Sequence, residues 1–112
     1  MHLQNKFARV SHNLSDLHIT KVACSFFHTM ALTNDGRVFV WGGTLHGKSG
    51  LGEQQRKKGD KYLPMELMFF KENNLYVTEI SCGQNHSLAI AHKRSRGNSR
   101  PQLYSWGDQK YL

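Results

Sequence analysis

The chain has 112 residues, 38% hydrophobic and 11% aromatic, with a formal net charge of +7. That composition suits a folded chain and excludes a disordered one, and no apolar run approaches the roughly 18 residues of a membrane helix. The positive charge permits attraction to nucleic acid, acidic proteins or anionic lipid surfaces, and says nothing of fold.

The opening Met1-His2-Leu3-Gln4-Asn5-Lys6 has no apolar core of a secretory signal. With two cysteines, this reads as free thiols in a reducing compartment, so an intracellular setting, nuclear or cytoplasmic, is expected.

In chain order, residues 19–24 alternate as a strand and 28–33 form a second. Asn34-Asp35-Gly36 is a hairpin turn, since these residues tolerate the positive φ of tight turns. Residues 37–41 form a third strand, rich in β-branched and aromatic side chains. Gly42 to Gly52 holds five glycines and demands irregular backbone. A charged loop follows, with Arg56, Lys57, Lys58 and Lys61. Residues 64–70 read as a fourth strand opened by Pro64, where a missing N–H is tolerated.

The chain then repeats itself. Ile19 to Leu32 reads against Val77 to Ile90 at a constant offset of 58 residues. Strands are expected at 77–82, 86–91 and 102–106, and each copy ends a strand in Trp-Gly, Trp41-Gly42 and Trp106-Gly107. The second hairpin is swollen by an insertion from about His92 to Pro101, which lengthens the Trp-to-Trp spacing to 65. Phe7 and Val10 match Met65 and Met68 at the same offset, so the chain opens inside an incomplete unit. Residues 1–18 read as the end of a preceding repeat and a linker. Residues 19–76 are the first repeat, and 77–112 the second, short at its C-terminal end. The fold expected is all-β: about two four-stranded blades of a β-propeller.

These residues resemble the regulator of chromosome condensation repeat family. Ile80-Ser81-Cys82-Gly83-Gln84-Asn85-His86-Ser87-Leu88-Ala89-Ile90 fits the family signature at every position. Val22 to Leu32 departs from it at Ser25, where the family has Gly. Trp41-Gly42 followed by Gly47-Lys48-Ser49-Gly50-Leu51-Gly52 fits the next signature, with Lys48 and Ser49 off type. The resemblance covers roughly residues 6–112. It implies a seven-bladed propeller of which two repeats are present. Repeat folds need about three units for stability, so the chain reads as part of something larger, with self-association through its unpaired blades as an alternative.

The structural motif set is therefore Cys24, His28, Trp41, Gly42, Gly47, Gly50, Cys82, Gly83, His86, Trp106 and Gly107. Two chemical readings compete with it. Gly42 to Ser49 matches the P-loop pattern G-x-x-x-x-G-K-[ST], but Gly50-Leu51-Gly52 breaks the helix that must follow. Cys24 with His28 and Cys82 with His86 suggest zinc. Equivalent positions in stacked sheets are expected about 10 Å apart, too far for shared ligation or for a Cys24–Cys82 disulfide. The imidazoles are expected instead to satisfy backbone groups of the adjacent turn. Trp41 and Trp106 read as packing residues. No catalytic constellation and no cofactor requirement emerges.

Lys93, Arg94, Arg96 and Arg100 form an acid-free basic cluster in the insertion. It reads as a solvated turn, and as the candidate contact for an anionic partner, nucleic acid or chromatin included. The function expected is a non-enzymatic protein-interaction module with a protein partner and no membrane insertion. The resemblance also implies an alternative, part of a guanine-nucleotide exchange factor for the small GTPase Ran, to which no exchange residue can be matched. A P-loop enzyme is the remote alternative.

Overall fold

The computed structural model describes residues 9–10, 14, 16–25, 28–42, 63–84, 86–95 and 100–107. They form two antiparallel sheets. The first contains β1 (Ile19–Cys24), β2 (His28–Thr33), β3 (Val38–Gly42) and β4 (Met65–Glu66), in that order. A five-residue helix, α1 (Met68–Glu72), leads to the second sheet of β5 (Leu75–Cys82), β6 (His86–Lys93) and β7 (Gln102–Gly107).

The sequence repeat is repeated in the backbone. Pairing of β1 with β2 shifts register between Ile19 and Lys21, and pairing of β5 with β6 shifts between Val77 and Glu79. The extra residue is a threonine each time. Thr20 Oγ1 donates to the Leu32 carbonyl at 3.3 Å, and Thr78 Oγ1 to the Ile90 carbonyl at 3.4 Å. A bulge of this kind bends and twists its strand. Thus the 58-residue offset carries a local distortion as well as an apolar pattern.

The strand expected over 64–70 needs correction. Only Met65 and Glu66 pair with β3; Met68 to Glu72 is helical. Leu67-Met68-Phe69-Phe70 is a short continuous apolar run, which periodicity alone cannot assign to strand or helix. The helix ends at Asn73, whose Nδ2 donates to the Phe69 carbonyl at 2.7 Å, and Asn74 takes a φ of 58°. Asn tolerates that left-handed conformation better than most residues. The helix buries Phe70 edge-on to Tyr104 and Trp106, with ring centroids 5.7 and 5.9 Å apart.

The core lies between the sheets. Alternation puts His28, Met30 and Leu32 on one face of β2, all buried. Met30, Leu32, Val38 and Val40 join one cluster with Leu67, Phe70, Leu75, Val77, Ala89 and Ala91. The small residues Ser87, Ala89 and Ala91 of β6 let the sheets approach. The first hairpin completes the junction: the Val77 N–H donates to the Gly36 carbonyl at 3.0 Å. Gly36 has φ +87°, and a Cβ there would stand 2.4 Å from the Cβ of Tyr76. Beside this turn, Arg37 forms a two-pronged pair with Glu66 at 2.9 and 3.2 Å.

Candidate functional site: the blade junction

The innermost strands bring the repeat motifs together. Several Cα pairs of β1 and β5 lie within 8 Å, and Lys21 Nζ stands 3.4 Å from Glu79 Oε2 at the equivalent position of the next repeat. The 10 Å spacing expected for sheet faces therefore fails here. The first strands of the two sheets converge at this junction.

His28 is the centre of this junction, 2% exposed. Its Nδ1 is 3.0 Å from Ser25 Oγ within its own turn, and its Nε2 is 2.7 Å from Ser87 Oγ in the second sheet. Cys82 Sγ lies 3.5 Å from the same Nε2. The turn itself is closed by backbone: the Ser25 N–H donates to the His28 carbonyl at 2.9 Å, and the Gly83 N–H to the His86 carbonyl at 2.7 Å. The His28 ring bonds two hydroxyls, and one of them belongs to the neighbouring blade.

His86 occupies the equivalent position with a different outcome. Gly83 replaces Ser25 and offers no hydroxyl. His86 Nδ1 is buried without a hydrogen-bond partner. His86, Leu88 and Ile90 are only half-buried, and a shallow groove of about 280 Å³ runs over Glu79, Leu88, Ile90 and Leu103. Leu103 is 69% exposed.

The thiols sit beside this cluster. Cys24 is exposed and Cys82 half-buried; neither is in a disulfide. Both line an open pocket of about 450 Å³ with Ser25, Gly83 and Gln84. Burial pushes the Cys82 thiol up to about 11, against a smaller lowering by its hydrogen bond to Ser87. Among the described residues no group of three or more His, Cys, Asp or Glu is placed to hold a metal ion.

Of the remaining motif residues, the described ones show backbone and packing features. Gly42 and Gly107 take φ of 109° and 140°, which accounts for glycine after each tryptophan. Trp106 packs on Phe70 and buries an Nε1 without a partner. Trp41 pairs with Thr29 across the ladder. Gly47 and Gly50, and with them the P-loop-like segment, lie outside the described residues.

The basic insertion is partly described. Lys93 ends β6 and is exposed, as is Arg100; Arg96 lies outside the described residues. Arg94 is committed to the fold. Its Nη2 donates to the Asp35 carbonyl at 2.7 Å and its guanidinium lies 5.3 Å from the Tyr76 ring centroid. Tyr76 in turn stacks on His92, with centroids 5.1 Å apart. Sequence reasoning grouped Arg94 with the loop cations because the Tyr76 ring and Asp35 carbonyl are distant in sequence.

Stacked, repeated antiparallel sheets of this kind define a piece of β-propeller. The regulator of chromosome condensation (RCC1) repeat matches residues 35–90, and a second form of the same repeat matches residues 19–48. The chain belongs to the regulator of chromosome condensation repeat family. It is 32% identical over 98 residues to the probable E3 ubiquitin-protein ligase HERC6 of Homo sapiens, covering 88% of this chain and 8% of that protein. It is 30% identical over 94 residues to the ultraviolet-B receptor UVR8 of Arabidopsis thaliana, covering 84% of this chain and 18% of that protein. Among solved structures, Prp20p from Saccharomyces cerevisiae superposes with a TM-score of 0.58 at 22% identity, over 80% of this chain and 19% of that one. Human WBSCR16 superposes with a TM-score of 0.59 at 14% identity, over 86% and 27%. The chain thus spans under a fifth of the length of either sequence relative. Among the described residues no helix is long and apolar enough to cross a membrane.

Proposed function

We propose that the chain is a non-enzymatic protein-interaction module of propeller repeats, part of a larger intracellular scaffold or regulatory protein. The observation that carries this reading is the junction itself. Two blades are fixed in one orientation by a continuous apolar core and the His28–Ser87 bond, so loops from both blades are held on a common rigid frame. Relatives with different printed roles, a ligase and a receptor, contain the same repeat. That is the pattern of a shared platform rather than of one shared chemistry. Residues Cys24, His28, Gly42, Cys82, Gly83, His86 and Gly107 serve the frame, as do the two tryptophans.

The partner class is protein, with chromatin contact as a specific case. The study of Prp20p describes its binding to Gsp1p and histones, and Lys93, Arg100 and Arg96 would add a salt-sensitive contact to such an anionic surface. The test is biolayer interferometry of the purified chain against histones and a small GTPase across a salt series. Salt-sensitive binding without nucleotide turnover supports the reading. ATP or GTP hydrolysis by the folded chain, abolished by Lys48→Ala, overturns it.

A further inference from the structure

We propose that the half-open face of the second sheet docks a second copy of this chain, head to tail, through the exposed side of that copy's β1. The proposal rests on the interaction reading above and deepens it by naming one partner. In the blade junction, Met30, Leu32 and Val38 of the first sheet are buried in the shared core. Their equivalents one repeat on, Leu88, Ile90 and Leu103, line the groove of about 280 Å³, with Glu79 beside them. The same apolar layer is present twice, sealed in the first blade and half-open in the second.

The chain also carries the complementary surface. β5 is the strand of the second sheet that packs on β1 and β2, and its Ile80 lies against the shared core. The equivalent of Ile80 is Val22. The register sets Val22 beside Ala31, whereas Ala23 stands beside the core residue Met30, so Val22 is on the side of the first sheet turned away from the second. Val22 is 71% exposed, while Ala31 and Phe39 on that side are already buried. That leaves β1 as the strand that docks, as β5 is within the chain.

The polar groups match as well. Lys21 pairs with Glu79 across the junction within the chain at 3.4 Å. Docking sets Glu79 opposite Lys21 of the second copy, so the charges alternate along the stack. His28 Nε2 bonds Ser87 Oγ at 2.7 Å. The equivalents of these two residues are His86 and Thr29, and Thr29 of the second copy brings a hydroxyl to the half-buried His86 ring. Groove and β1 are different surfaces, so the contact is heterologous, and association continues until a ring closes.

Sedimentation velocity of the purified chain over a concentration series tests this, with mass expected to rise with concentration. Val22→Asp and Leu103→Asp remove the two surfaces separately. Both positions are exposed, so the blades should stay intact, which circular dichroism checks. Each variant alone should associate at least about tenfold more weakly, because a carboxylate is forced into an apolar groove. Mixed, the two should form a one-to-one dimer, since each keeps the surface the other has lost. A chain that is monomeric at every concentration overturns the proposal, whatever other protein the groove binds, and leaves the interaction reading to its own salt series. So does association that Val22→Asp does not weaken, or a pair of folded variants that do not complement. If either variant unfolds, hydrogen exchange of the wild type decides. Amides of residues 19–24 and 102–107 should exchange more slowly at high concentration, and unchanged rates overturn the docking.

Discussion

The first and second blades carry the same motif in different circumstances. In the first, the His28 face of β2 is sealed by the neighbouring sheet and the ring holds two hydroxyls. In the second, the equivalent His86 face is half-open and Nδ1 has no partner. The residue is the same, so the difference lies in what stands next to it. A repeat motif specifies a geometry of approach; the hydrogen bonds it makes depend on the neighbour and on one turn residue, Ser25 or Gly83.

The largest contrast is expected in the apolar layer. Met30 is fully buried and Leu88, its equivalent, lines the open groove. Met30→Ala should cost about 2–5 kcal/mol, and Leu88→Ala about 1 kcal/mol or less, by urea unfolding. Equal losses would show that both faces are packed alike.

Gly36→Ala should follow, at about 1–3 kcal/mol, because it combines positive φ with a Cβ only 2.4 Å from Tyr76. Thermal unfolding measures it. An unchanged midpoint would mean that the first hairpin does not dock on β5.

The turn residue gives a smaller contrast of opposite sign. Ser25→Ala removes the Nδ1 partner of His28 and should destabilise by about 1 kcal/mol. Gly83→Ser should stabilise by about 0.5–1.5 kcal/mol, supplying a hydroxyl to His86 Nδ1 and stiffening the unfolded chain. A Cβ at Gly83 meets nothing closer than His86 Cε1 at 3.4 Å. A destabilising Gly83→Ser would break the comparison.

The smallest effect is a pH dependence. Cys82 is raised to about 11 from 9.0, chiefly by burial. The folded state keeps the proton where the unfolded state has lost it. Its contribution to stability is therefore full below about pH 9 and is lost as pH rises toward about 11. Wild type should lose more stability over that window than Cys82→Ser; parallel losses would place the thiol in solvent.

The strands were legible because the sequence states its pattern twice and each copy corroborates the other. The turn at Gly36 and the glycines after Trp41 and Trp106 were legible because backbone geometry restricts the residue. The helix at Met68–Glu72 was not, since four consecutive apolar residues carry no period. The cross-blade contacts were missed for a geometric reason. Equivalent positions share a face, and stacking brings opposite faces together, so His28 meets Ser87 and not His86. A one-residue step along a strand switches faces, and that step could have been anticipated from the period alone. The Arg94 contact with the Asp35 carbonyl was not legible because the two residues lie 59 positions apart.

The central claim is that the two blades form one packed junction through His28 and Ser87. A double-mutant cycle with His28→Gln and Ser87→Ala, read by urea unfolding, tests it most directly. Residues that share a hydrogen bond should show a coupling energy of about 0.5–3 kcal/mol. Additive losses, with coupling near zero, would contradict the junction and leave the blades as independent units.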